Sequence, residues 1–243
     1  MSQTAARALS ISVFFPAYND ARSIEKLVTD ALDILPALTD DYEVIVINDG
    51  SEDDTGAVLE NLKTKFAPFV RVVHHEQNRG YGAALRSGFA AAQKDLIFYT
   101  DGDGQYDVRE LPKLFELLDE NADVVNGYKI ERSDAANRKL LGDSYNKLAH
   151  LCFAIPIRDV DCDFRLIRRR LLERVRLESS SGSICVELVY KLARAGARFR
   201  ETGVNHYARQ HGKSQFFTVR RVGKTLIDFF RLRARLIVAK EIA

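Results

Sequence analysis

Cysteine is scarce in this sequence: Cys152, Cys162 and Cys185 are the only three in 243 residues. Their number is odd and no two are spaced as a metal-binding pair, which excludes a disulfide framework and points to a reducing compartment. No apolar run approaches the ~20 residues of a membrane span. The N-terminus lacks the apolar core of a secretory signal. The expectation is therefore a protein in solution or on a membrane surface. An overall excess of one charge is missing too. The formal charge is +2, so this is no polycation of the kind that coats nucleic acid. Internal repeats, low-complexity stretches and disordered linkers are likewise absent.

With 46% hydrophobic and 29% charged residues, the chain can build one large domain or two small ones. The charge is unevenly placed. From Phe216 to Ala243, Arg220, Arg221, Lys224, Arg231, Arg233, Arg235 and Lys240 face only Asp228 and Glu241. That tail carries +5 and the remainder −3.

Strand and helix patterns alternate through the first half. "LSISVFFPAYN" (Leu9–Asn19) begins as a strand and ends in a turn set by Pro16 and Asn19. Ile24, Leu27, Val28, Ala31, Leu32 and Leu35 then recur at helical spacing, with Asp20 or Ser23 as the N-cap. The β-branched run Val44–Ile47 suggests a strand buried on both faces. Helices follow over Asp54–Phe66, Gly80–Gln93 and Arg109–Glu120, and strands over Val70–His75, Asp95–Asp101 and Ala122–Tyr128. Such alternation predicts βαβ units and a mainly parallel sheet, with ligands at the carboxyl ends of its strands. After Gly127 the pattern loosens. Asn137–Phe153 and Ile184–Ala195 read as helices, "DVDCDFRLIRR" begins in a loop, and "FRETGVNHYARQHGKSQFF" shows no clear period after its first few residues.

Polar clusters stand at the predicted strand ends. "YTDGDGQYD" (Tyr99–Asp107) fails as a calcium EF-loop, because counting from Asp101 the sixth and twelfth positions hold Tyr106 and Pro112. A plain Asp/Gly turn fits its local geometry. Its placement adds more: Asp101 and Asp103 are hard oxygen donors one residue apart, suited to Mg²⁺ or Mn²⁺ with sites left for phosphate, and Gln105 offers a further oxygen. Asp107 reads as a helix cap. In "VINDGSEDDT" a turn and a cap by Asp53 or Asp54 account for most residues, whereas Asp49 is free to accept a base N–H. Gly80, Gly82 and Gly88 in "NRGYGAALRSGF" do not fit a dinucleotide fingerprint, which excludes that site. Arg79 and Arg86 face either phosphate or solvent. Asp159, Asp161, Asp163 and Arg165 make either a solvated loop or an acidic group that steers an acceptor. Arg209 and Lys213 suit a phosphorylated ligand, while His206 and His211 read as loop histidines rather than metal ligands.

Taken in order, "FFPAYNDARSI", "VINDGSEDDT", "NRGYGAALRSGF", "YTDGDGQYD", "IRDVDCDFRLIRR" and "HYARQHGKSQFF" resemble the family 2 glycosyltransferases, above all the dolichyl- or polyprenyl-phosphate sugar synthases. The resemblance runs from about Ser10 to about Val238. It implies a GT-A fold: an α/β, Rossmann-like, mostly parallel central sheet flanked by helices, as a catalytic domain over residues 1–215. Residues 216–243 would form a basic amphipathic C-terminal helix.

The resemblance also implies an inverting, metal-dependent transfer from a nucleotide-diphosphate sugar, GDP-mannose or a UDP-sugar, to a polyprenyl phosphate. Pro16, Tyr18, Asp20, Asn48, Asp49, Asp101, Gly102 and Asp103 would bind the donor. Asp101, Asp103 and Gln105 would hold Mg²⁺ or Mn²⁺. Arg132, Arg138, Arg209 and Lys213 would meet the acceptor phosphate and the leaving-group charge. Two departures stand out: Asn48 replaces the first of two usual aspartates, and Asp163 replaces a glycine before Phe164-Arg165. A lipid phosphate is already an anion and needs no strong base. A glycan or protein hydroxyl as acceptor would need one, with Asp161 or Asp163 as candidates. A third reading is a non-catalytic membrane partner protein that retains the fold. The basic tail either packs on the domain or lies on an anionic membrane. The expected location is the cytoplasmic face of a membrane, peripherally, with an integral-membrane protein as a further partner and no nucleic acid.

Overall fold

The structure is a computed structural model. It describes residues 9–132, 136–209 and 219–242, and their side chains outside 131–141, 219–222 and 237–242. Strand β1 (Ile11–Ala17) is buried along its whole length, as are Glu43–Asn48 of β2 (Tyr42–Asn48) and all of β4 (Leu96–Thr100). Their continuous apolar runs suit strands covered on both faces. With β3 (Val70–His74) they form a parallel half-sheet, β3-β2-β1-β4. The order then continues β6-β5-β7, giving seven strands among the described residues. Strand β6 (Phe164–Arg168) runs antiparallel to both neighbours, and β5 (Val124–Arg132) pairs in parallel with β7 (Phe199–His206).

Alternation along the strands sorts the core into two layers. Ile11, Val13, Phe15, Val44 and Val46 meet α1 (Ile24–Leu38) and α2 (Thr55–Lys65) on one face. Phe14, Ile45, Ile47 and Tyr99 meet α3 (Tyr81–Ala91) and α7 (Ile184–Arg194) on the other. A third cluster joins α7 to α5 (Ala136–Phe153) and α8 (Val219–Ile242), centred on Phe153, Val186, Val189, Phe229 and Leu232. The C-terminal helix is thus docked on the domain through Phe229, whose ring packs edge-on against Tyr145 and Phe153.

One local expectation is corrected and two are extended. The helix expected over Arg109–Glu120 is a 3₁₀ turn, Val108–Glu110, followed by a short α4, Leu111–Glu116, with Pro112 in its first turn. The stretch that begins as a loop at Asp159 continues into strand β6 and a short α6 (Arg169–Leu172), and the stretch from Phe199 opens with strand β7. Asp107 does cap: its Oδ1 accepts the Arg109 N–H at 3.0 Å.

Candidate active site

The carboxyl ends of β1, β2 and β4 lie side by side and are sewn together by backbone bonds. Asp49 N–H donates to Ala17 O at 2.9 Å and Gly102 N–H to Pro16 O at 3.1 Å. Side chains tie the first two turns further. Asn19 N–H donates to Ser51 Oγ, Glu52 N–H to Asn19 Oδ1, and Asp20 N–H to Thr55 Oγ1. Ser23 Oγ, at the start of α1, donates to Gly102 O at 2.8 Å. Three separate turns therefore make one rigid rim.

On this rim the sequence-predicted donor residues fall into two kinds. Asn48 and Asp49 are buried and occupied within the chain. Asn48 Oδ1 accepts the Ser51 N–H and its amide nitrogen meets His74 Nδ1 at 3.0 Å. Asp49 Oδ1 accepts from the His75 ring at 2.6 Å and from Arg79 N–H at 2.9 Å, while Oδ2 accepts from Gly80 N–H at 2.9 Å. The segment leading into α3 thus supplies two donors to Asp49 Oδ1 and one to Oδ2, which leaves Oδ2 with a further lone pair.

Asp20, Asp101 and Asp103 are the second kind. Burial pushes the Asp20 carboxyl up to about 6, with the Asp103 charge adding to it, although the Tyr18 N–H donates to it at 3.0 Å. Asp101 is pushed well above the usual carboxylate range by burial first, then by Asp163 and Asp103. Its Oδ1 accepts one hydrogen bond, from the Tyr81 hydroxyl at 2.7 Å. Asp103 Oδ1 accepts the Gln105 N–H, and its Oδ2 meets Arg209 Nη2 at 2.5 Å. Arg209 also lies 3.8 Å from Asp20, and its Nε is buried without a partner. Gln105 donates from Nε2 to Tyr207 O, and Tyr207 N–H donates back to Gln105 O, strapping the end of β7 to this turn.

Among the described residues, burial and the neighbouring carboxylates oppose the charge on Asp20 and Asp101. Such a crowded set of hard oxygen donors fits a divalent cation at Asp101 and Asp103. Among the described residues no three His, Cys, Asp or Glu side chains form a ready-made metal cage. Such a cation would need ligands beyond these side chains, as Mg²⁺ commonly does.

Asp163 is buried behind Asp101. Its Oδ1 accepts from the Tyr99 hydroxyl at 3.2 Å and from the Cys185 thiol at 3.3 Å. The Asp161 backbone carbonyl accepts from Lys129 Nζ at 2.9 Å. Arg132 ends β5 opposite His206, and Arg138 belongs to α5, but neither side chain is among those described; Lys213 and His211 lie outside the described residues. Sequence reasoning missed Tyr81, Lys129 and the role of Arg165. The last is fully buried, with its guanidinium on Asn126, Tyr99 and the carbonyls of Val160 and Cys162. The one signal for Tyr81 was its place between two glycines at the start of a helix.

Comparison with known proteins places this geometry. Residues 12–176 match the model for Glycosyl transferase family 2. The undecaprenyl-phosphate 4-deoxy-4-formamido-L-arabinose transferase of Pseudomonas savastanoi pv. phaseolicola is 28% identical over 215 residues, covering 87% of this chain and 62% of that protein. Glycosyltransferase AglD of Haloferax volcanii is 31% identical over 209 residues, covering 82% of this chain and 33% of its own. The chain thus spans about three fifths or less of these relatives' length. Glucosyl-3-phosphoglycerate synthase from Mycobacterium tuberculosis, solved with Mn²⁺, UDP-glucose and phosphoglyceric acid, superposes with a TM-score of 0.74 at 19% identity, over 96% of this chain and 82% of that one. The fold is the GT-A arrangement, and the family match, which extends over more than half of the sequence, shows that this chain belongs to glycosyl transferase family 2.

Proposed function

We propose that the chain transfers a sugar, with inversion, from a nucleotide-diphosphate donor to a polyprenyl phosphate. The observation that carries this reading is the under-neutralised carboxylate group at the ends of β1 and β4, with the Arg209 guanidinium held against it. Pro16, Tyr18, Asp20 and Asn48 form the rim on which the nucleotide rests, and Asp49 keeps that rim in place. Asp101 and Asp103, with Gln105 beside them, would hold Mg²⁺ or Mn²⁺. When bound, the ion stabilises the charge that develops on the departing nucleoside diphosphate. Arg209 adds a fixed cation at the same oxygens, an electrostatic contribution that needs no rearrangement of water. Together with Arg132, Arg138 and Lys213 it receives the acceptor phosphate. Holding that anion in line with the anomeric carbon supplies the rest through orientation.

The acceptor assignment rests on two supports. The relatives named above include undecaprenyl-phosphate sugar transferases. Moreover, Asp163 faces Tyr99 and Cys185 in the interior, which suits an acceptor that needs no general base. A hydroxyl acceptor would have to rely on Asp161 or Asp163 as base.

The basic C-terminal helix is proposed to rest peripherally on an anionic membrane. Among the described residues no helix is long and apolar enough to cross one. Phe229 and Leu232 face the domain, while Ile227 is 54% and Phe230 55% exposed. Lys224, Ile227, Phe230 and Arg231 share one face by their three- and four-residue spacing.

The test offers labelled nucleotide sugars and Mn²⁺ to the protein with polyprenyl phosphate in anionic liposomes, or with soluble glycans. Label in the lipid fraction, lost in Asp103→Ala, is the expected result. Label only in glycans overturns the acceptor, and full activity of Asp103→Ala overturns the metal site.

A further inference from the structure

The segment "RGYG", rejected above as a dinucleotide fingerprint, is held from two sides, by Asp49 and by the Ser179–Ser180 backbone. Asp49 accepts the N–H groups of Arg79 and Gly80, at 2.9 Å each. Gly82 N–H donates to Ser180 O at 3.0 Å. Gly80 has φ +93°, a conformation that glycine adopts at little cost, and a Cβ there would come within 2.7 Å of Ser180 O. A Cβ on Gly82 would come within 2.5 Å of Ser179 O and 2.8 Å of Ser180 Cα. The backbone on either side of Tyr81 therefore has almost no freedom to shift. What this clamp delivers is one hydroxyl, placed 2.7 Å from Asp101 Oδ1.

We propose that Tyr81 is a positioning residue for the metal–diphosphate site, and that the Asp49 clamp and the two flanking glycines exist to hold its hydroxyl on Asp101. This rests on the reading of Asp101 as a metal-facing carboxylate. A carboxylate on a strand end turns freely about χ2. One donor fixed on Oδ1 selects a single orientation and leaves Oδ2 to face a cation. Partners of this kind behind a metal ligand typically govern affinity by ~10–100-fold. The clamp accounts for two observations that turn chemistry alone leaves unexplained: a buried aspartate, Asp49, whose oxygens are all turned inward, and glycines at both 80 and 82.

The test measures Mn²⁺ alone, titrated into the full chain and followed by the paramagnetic resonance of the free ion, for parent, Tyr81→Phe, Gly82→Ala and Asp101→Ala. Tyr81→Phe removes one oxygen atom, and its metal-free melting temperature should stay with the parent's. The expected result is roughly tenfold weaker Mn²⁺ binding in Tyr81→Phe, weakening in the same direction in Gly82→Ala, and the largest loss in Asp101→Ala. Parent-like binding by Tyr81→Phe alongside weakened Asp101→Ala overturns the role of Tyr81 and leaves the metal site standing. Parent-like binding by Asp101→Ala overturns both.

Discussion

The turns after β2 and β4 start alike and end differently. Each follows a buried apolar strand, and each places an Asp-Gly pair at the carboxyl edge of the sheet. In the first, Asp49 accepts from His75, Arg79 and Gly80, so its charge is met by donors supplied within the chain. In the second, Asp101 accepts one hydroxyl and lies near Asp103 and Asp163, and its proton affinity rises accordingly. One aspartate is part of the scaffold. The other is left with charge that a ligand must balance. Residue type and strand-end position do not tell the two apart; the donors arriving from elsewhere in the sequence do.

The sharpest way to break this comparison is Asp101→Asn. The amide keeps an acceptor for Tyr81 but removes the charge. Sugar transfer should fall roughly a hundredfold or more, the scale of losing one preorganised electrostatic contact. Stability should hold or rise, because burial and two neighbouring carboxylates oppose the charge in the folded state. Transfer assays and urea unfolding on the same preparation give both numbers. A large loss of stability would place Asp101 with the scaffold.

Asp49→Ala should show the reverse. It leaves the N–H groups of Arg79 and Gly80 and the His75 ring without their acceptor in a buried setting. Leaving buried donors unsatisfied costs about 3 kcal/mol in all. Urea unfolding should show that loss, with activity falling because the Tyr81 segment is released. Unchanged stability would mean that Asp49 is available to ligand after all.

Much of this was legible in the sequence. The runs Val44–Ile47 and Leu96–Thr100 announced buried parallel strands, and the spacing of Asp101 and Asp103 announced hard oxygen donors at a strand end. The second half hid itself for physical reasons. Strand β6 carries Arg165 at a fully buried position, which breaks the apolar run by which such strands are known. The arginine is tolerated because Asn126, Tyr99 and two carbonyls satisfy it, and of these only Val160 and Cys162 lie near it in sequence. Strand β7 is an edge strand with much of its length partly exposed, so its polar residues mask the alternation. Tyr81 escaped notice because its partner lies 20 residues away, on another turn.

A third carboxylate sharpens the comparison with the smallest effect. Asp123 precedes β5, and arginines surround it. Arg198 donates to it from backbone N, Nε and Nη2, and Arg170 from Nη2. The Arg198 hydrogen bonds, above all, pull its carboxyl from the ordinary 3.8 down to about 2. The folded state therefore binds this proton more weakly than the unfolded chain does. The resulting stability is present above pH ~4 and fades as pH falls toward ~2. Both arginines are about half exposed or more, so solvent screening trims the contribution to about 1 kcal/mol. Asp123→Asn should thus lose about that amount in urea unfolding at pH 7, and the gap between parent and variant should narrow by pH 3. A gap that stays constant with pH would show that geometry at Asp123, rather than its charge, holds β5 to the strand beside it. The scaffold role assigned to Asp49 would then need the same scrutiny, since both rest on donors matched to an ionised carboxylate.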